Sequence, residues 1–352
     1  MNMNMMILFG FVITSVSVLY ILDASIEAPW DRDFDDTYSG PRCEHVRPNK
    51  FLRERANAMS NLVFCAAGVY MLLAGIYDFR QKDSNCVSSG GYYGGLRSRC
   101  EWSIILGLST FFAGFGSFYF HASHGDKMGG KTDISSIYIL VFACICAISF
   151  NTVSVVRAAY FSSSSNRRSD RLFSLGFLLL WFGGLVPLWY WKKTLFFGGW
   201  RTMKIVMMIV IFCLLLVAGY GSCVANRKLS IRTHEKPFLL VALIWLLLAF
   251  FVWAPYEIFG NCDVFYVDPD SLFQLHALWH GSMSLAVLFM YLYFRTFGME
   301  HPIDTAFLLL TSSSSQTDAS CVVDSSTTGV ELSHKAGVST SEVVMTPELA
   351  MV

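Results

Sequence analysis

The sequence predicts an all-α polytopic membrane protein: a seven-transmembrane helix bundle preceded by an N-terminal signal or anchor helix. Two observations carry that prediction. Of the 352 residues, 54% are apolar and only 15% charged, against about a quarter charged in a typical soluble domain. Seven apolar runs also reach the roughly 20 residues that an α-helix needs to cross a bilayer core about 30 Å thick. Lipid offers no partner to a free backbone amide, so every span is expected to be helical.

In chain order the spans fall at about 58–78, 103–121, 133–151, 172–191, 203–222, 238–255 and 272–294. An eighth apolar run, 6–22, precedes an acid-rich segment that opens at Asp23. It reads as either a cleavable signal sequence or a retained signal-anchor helix. The basic residues usual before a signal core are missing, which favours retention. The expected organisation is therefore 1–22 signal peptide or anchor helix, 23–56 luminal segment, 57–297 seven-helix core, and 298–352 cytosolic tail. From about residue 312 the tail turns Ser- and Thr-rich and is expected to be disordered.

Lys and Arg near the span ends set the expected orientation. The connections after spans 1, 3 and 5 hold twelve basic residues, against five in the connections on the side of segment 23–56. Segment 23–56 is thus placed in the lumen or outside the cell and the C-terminal tail in the cytosol. The 26 basic and 26 acidic residues cancel, which leaves no basic surface for a nucleic-acid partner. Cys65, Cys144, Cys146 and Cys213 fall within spans and read as small buried residues. Cys86 and Cys100 share a cytosolic connection and are expected to stay reduced, whereas Cys43 and Cys262 lie on the luminal side, where oxidation is permitted.

Ionisable side chains within spans are costly and usually functional. Span 2 closes with GFGSFYFHAS, which sets Ser117 and His121 four residues apart on one helical face. Span 3 opens at Asp133, and span 7 opens with LHALWH, which sets His276 and His280 at the same spacing. Chain direction then brings the end of span 2 and the starts of spans 3 and 7 to one membrane face. Three histidines with an open fourth position describe a hydrolytic zinc site, whose water would ionise near neutral pH. Asp133 could act on that water as general base, and Ser117 could donate to it or to the developing oxyanion.

Each residue also has a plainer reading. Ser117 could pack helices beside Gly114 and Gly116, and Asp133 could cap its helix. His124, beyond span 2 in a polar turn, is expected to be solvated. A transporter with histidines along a pathway would spread polar residues through the membrane, whereas spans 4 to 6 hold almost none.

These residues resemble the CREST superfamily of intramembrane hydrolases and receptors, and within it the alkaline ceramidase family. The likeness rests on Ser117-x3-His121, Asp133, His276-x3-His280, Cys43–Glu44, ERANAMSNL at 54–62, GFGSFYFHAS at 114–123 and LHALWH at 275–280. It covers roughly residues 40–295. The resemblance implies zinc held by His121, His276 and His280, with Ser117 and Asp133 positioning and activating its water. The substrate it implies is a ceramide-like membrane lipid, cleaved at its amide in the endoplasmic reticulum, Golgi or another endomembrane. It implies a luminal disulfide from Cys43 to the loop before the last span, where Cys262 is available. It also implies a calcium site near the zinc, with Glu54 and Glu44 as contributors. There the sequence departs from the family pattern: Asp-Trp-Cys-Glu-x-Asn reads Pro41-Arg42-Cys43-Glu44-His45-Val46, which loses two oxygen donors. Calcium takes six to eight oxygens, so such a site needs a substitute from Asp31, Asp33, Asp35 or Asp36. The alternative is that this acidic cluster is simply solvated. A receptor of the same superfamily and a GPI-remodelling lipid hydrolase are the rival functions.

Overall fold

The computed structural model describes residues 3–26, 44–47, 49–81, 96, 99–124, 127–160, 172, 175–176, 179, 183, 199–228, 236–259 and 271–297. Among them the chain is helical and contains no strand. In order the helices are α1 (Met3–Ser25), α2 (Arg55–Ser60), α3 (Leu62–Gln81), α4 (Cys100–Ser123), α5 (Lys127–Tyr160), α6 (Gly199–Lys228), α7 (Lys236–Phe259) and α8 (Leu275–Arg295). Among the described residues, four stretches are long and apolar enough to cross a membrane: Arg55–Arg80, Cys100–Ser123, Met128–Arg157 and Leu275–Arg295. They coincide with expected spans 1, 2, 3 and 7. Shorter apolar stretches, Ile13–Ser25, Ile209–Ala225 and Lys236–Phe251, lie on α1, α6 and α7. The fourth expected span, 172–191, falls largely outside the described residues. So do the acidic cluster at Asp31–Asp36, Cys43, Cys86, Cys262 and the tail from 298 onward.

Glycine decides how the first membrane helices meet. A Cβ on Gly68 would stand 2.5 Å from the Phe111 backbone nitrogen, and one on Gly107 2.6 Å from that of Leu72. On Gly114 it would meet the Cys65 nitrogen at 2.8 Å. Helices α3 and α4 therefore touch backbone to backbone, which only small residues allow. On the far side of α4, a Cβ on Gly116 would lie 2.6 Å from Ser136 Oγ and 3.0 Å from the Thr132 carbonyl. That contact seats the start of α5 against the last turns of α4. Helix α8 packs on α7 and α3, and α6 on α5. One apolar core runs through α3 to α8.

Two polar ties close the ends. At the ends of α3 and α8, Arg295 Nε and Nη2 each donate to the Asp78 carboxylate at 3.0 Å. This fork-to-fork geometry satisfies a fully buried pair. At the other tie, the Asp23 carboxylate at the end of α1 accepts from the Leu52 N–H at 2.9 Å and pairs with Arg47 Nη1 at 2.9 Å. Leu19 and Phe51 pack with Met59 and Phe118 around Leu52, Ala58 and Ala122. The end of α1 is thus fastened to the folded core.

Two expectations need correcting. Cys65, Cys144 and Cys146 are buried as expected, but Cys213 is exposed on α6, because a fully apolar helix does not show in its period which face it turns outward. Asp133 does not cap α5: that helix begins at Lys127 and carries Asp133 almost two turns inside.

Candidate metal centre

Helices α4 and α8 bring His121, His276 and His280 together. The four-residue spacing puts His276 and His280 on one face of α8, with ring centroids 4.5 Å apart. His121, from the last turn of α4, stands 5.1 Å from each. One nitrogen of each ring lies within 4.8 Å of the others. His121 and His280 are 1% and 2% exposed, His276 9%.

Two of the three rings have outer partners on Nδ1. His121 Nδ1 makes a short contact to Glu54 Oε2, a carboxylate with no exposure at all. Ser60 Oγ donates to the Asn57 carbonyl at 2.8 Å and stands 2.9 Å from His280 Nδ1. Asn61 Nδ2, which donates to the same Asn57 carbonyl at 2.8 Å, stands 3.2 Å from His280 Nδ1. Both imidazoles thus spend Nδ1 on an outer partner and leave Nε2 for the cluster, the usual support of a metal-ligating histidine. Three imidazoles gathered this closely, two of them supported from outside, suit zinc.

The outer partners come from a segment the helical pattern did not single out. Residues 53 and 54 lie against the end of α4, where the N–H groups of Arg53 and Glu54 donate to the carbonyls of Ala122 and His121, each at 3.1 Å. These carbonyls would otherwise be left over at a helix C-terminus. Arg53 Nη1 adds bonds of 2.8 Å to the carbonyls of Ser123 and His124. The second Glu54 oxygen pairs with His124 Nδ1 at 2.6 Å. His124 is 1% exposed, which overturns the expectation that it is solvated. The reversed turn that ends α4, with His124 at φ 21°, folds this side chain back towards Glu54. Asn57, Ser60 and Asn61 were missed as well. Their only signal was a polar stripe at 54, 57, 60 and 61 where a membrane helix begins.

Glu44 accepts from the backbone N–H groups of Ala56 and Asn57 at 2.6 and 2.9 Å, capping α2. Burial raises its carboxyl from 4.5 to about 7, against the pull of those two donors and of Arg47 and with a push from the Glu54 charge. Both Glu54 oxygens face imidazole nitrogens and both Glu44 oxygens face N–H groups. The described residues here assemble a nitrogen-donor environment, which does not fit calcium's six to eight oxygens.

Ser117 is 5% exposed and lies one turn before His121. With His280 and Asn61 it forms the polar end of a cavity whose remaining walls are mostly apolar. Asp133 is 6% exposed. Its neighbours Thr132 and Ser136 stand against Gly116, and Ile137, one turn further along α5, lines the same cavity. The arrangement joins a cluster of three imidazoles, through His280, to an apolar chamber whose wall also carries the Ser117 hydroxyl.

The ceramidase family model matches residues 47–309, about three quarters of the chain. No curated protein matches the chain at a significant level.

Proposed function

The chain belongs to the ceramidase family, and from that premise we propose that it is an intramembrane zinc amidohydrolase of ceramide-type lipids. Membership supports a ceramide-hydrolysing enzyme that cleaves an amide bond of a lipid. The zinc, the residue roles and the depth of the site are our reading. The observation that carries it is the cluster of His121, His276 and His280 within 4.8 Å at the polar end of an apolar cavity.

His121, His276 and His280 would hold the metal, with Glu54 and Ser60 keeping two of their rings in place. Bound zinc supplies a Lewis acid and lowers the pKa of water towards neutrality. Asp133 takes a proton from the attacking water as its oxygen bonds to the amide carbon, and returns that proton to the nitrogen as the C–N bond breaks. Ser117 donates to the oxygen that gains charge in the transition state. A sphingoid base and a fatty acid leave. Calcium enters no step of this chemistry.

The same reading takes the fold as seven spans with the N-side luminal. It places the metal centre near the luminal face of an endomembrane, the tail in the cytosol, and a disulfide between Cys43 and Cys262, both outside the described residues. The packing of Leu19 with Phe51, Met59 and Phe118 around Leu52 supports α1 as a retained helix, since cleavage after residue 22 would strip that side chain from the core. The test is hydrolysis by purified protein of ceramides, other N-acyl amides and GPI-like esters. Release of sphingoid base from ceramide alone is expected; ester cleavage without amide cleavage would refute the substrate assignment.

A further inference from the structure

The cavity below the histidines has a floor, and a small gap lies beyond it. Its walls follow α5 from Ile137 to Cys144 and α8 from His280 to Met290. A second, much smaller cavity adjoins it along the same two helices, lined by Ala147 and Ile148 on α5, Tyr291 and Phe294 on α8, and Met71 and Leu106 on α3 and α4. Cys144, Val287 and Met290 line both. The two chambers therefore adjoin, with these three side chains as the partition. Met290 is the largest of the three, and its unbranched thioether is the kind of side chain that fills irregular gaps.

We propose that Met290, braced by Cys144 and Val287, is a specificity-determining residue that sets how long an acyl chain the enzyme accepts. The proposal rests on the amidohydrolase reading and adds its chain-length rule. The acyl chain is the occupant because it is bonded directly to the reacting carbonyl, which must lie at the histidine end. Below Ser117 the first walls are Ala113, Leu140, Val141 and Met283. They offer no partner to the hydroxyl that a sphingoid chain carries near its amide, and burying that hydroxyl without a partner is costly. From His280 to Met290 is ten residues of helix, about 15 Å, or roughly twelve methylenes of extended chain. From Met290 to Phe294 is a further ~6 Å, or roughly four to five methylenes.

The test is turnover on two ceramide series, one varying the acyl chain from about 10 to about 24 carbons and one varying the sphingoid base. In Met290→Ala the chambers merge, and the acyl optimum should move up by about four to five carbons. The ratio of turnover on a chain about six carbons longer to that on the wild-type optimum should rise tenfold or more, the scale on which a hydrophobic pocket discriminates. Adding Ala147→Leu, which refills the rear chamber, should reverse that shift. Ala286→Leu, which narrows the chamber above the partition, should move the optimum to shorter chains, and it keeps the test decisive if Met290→Ala folds poorly. Thermal stabilisation of each variant by free fatty acids should follow the same order of lengths. An acyl profile unchanged in Met290→Ala and Ala286→Leu would overturn the partition, as would a shift confined to the sphingoid-base series. A wild-type protein that hydrolyses no ceramide would instead overturn the reading beneath it.

Discussion

Replacing Glu54 with Gln removes a single charge from a place that water does not reach, and should weaken metal binding by one to two orders of magnitude. The carboxylate is wholly buried and divides its two oxygens between His121 Nδ1 and His124 Nδ1. Both contacts are of the charge-assisted kind, for which losing one partner costs about 1.5–3 kcal/mol. A glutamine keeps the size of the side chain but has one acceptor oxygen. Its amide nitrogen, itself a donor, must then face one of the imidazole N–H groups. If His121 receives the oxygen, its ring stays in place with a weaker, neutral bond. If His124 receives it, His121 is pushed from its tautomer or rotated out of the cluster. In either case the lone pair that His121 offers becomes less basic or less well aimed, and losing such an outer partner typically costs 10–100-fold in metal affinity. Competition with chelators of known strength, on detergent-purified protein, reads the zinc affinity directly. Equal affinity in Glu54→Gln and wild type would show that Glu54 only fastens the N-terminal segment to α4, and would remove it from the metal site.

Asp133→Asn should retain zinc and lose turnover by roughly 10²–10⁴-fold, the range of general acid–base assistance; loss of zinc in the same preparation would make Asp133 a ligand instead. Ser117→Ala should cost about 10²–10³-fold if its hydroxyl serves the oxyanion, and near-wild-type turnover would return Ser117 to a packing role. The mature protein should still carry residues 3–25, as an intact-mass measurement would show, and Asp23→Ala should destabilise it by roughly 1–3 kcal/mol through the unpaired groups left on Arg47 and Leu52. A mass matching cleavage near residue 22 would contradict the first expectation. Because the folded Glu44 carboxyl is raised from 4.5 to about 7, its contribution to stability is complete below pH 4.5 and lost as pH rises through 7. The loss should be on the order of 3 kcal/mol across that window. Glu44→Gln should flatten the fall in melting temperature between those pH values, and an unchanged slope would refute the assignment.

The parts of the site that a reader of the sequence can see are those governed by helical period. Ser117-x3-His121 and His276-x3-His280 follow from 3.6 residues per turn, and chain direction alone sets Asp133 at the same end of the bundle. The parts that could not be seen depend on contacts without a period. Glu54 reaches His121 across 67 positions of sequence, through a segment that lies against the end of α4. His124 was misread because its burial depends on one reversed turn, which a polar sequence does not distinguish from a solvated one. The glycines of α3 and α4 were visible one at a time, but that Gly68, Gly107 and Gly114 share one crossing is a property of the pair. Helix ends also escaped: α5 runs over 34 residues where hydropathy marks only the lipid-like centre.

The central claim is that the three histidines hold a zinc ion that ceramide cleavage needs. It is tested most directly by stripping metal from the purified protein, measuring single-turnover release of sphingoid base, and titrating zinc back. Turnover should vanish on stripping and return in proportion to zinc up to one equivalent, with no recovery in His276→Ala or His280→Ala. Undiminished cleavage by metal-free protein, or full recovery in the doubly substituted protein, would contradict it.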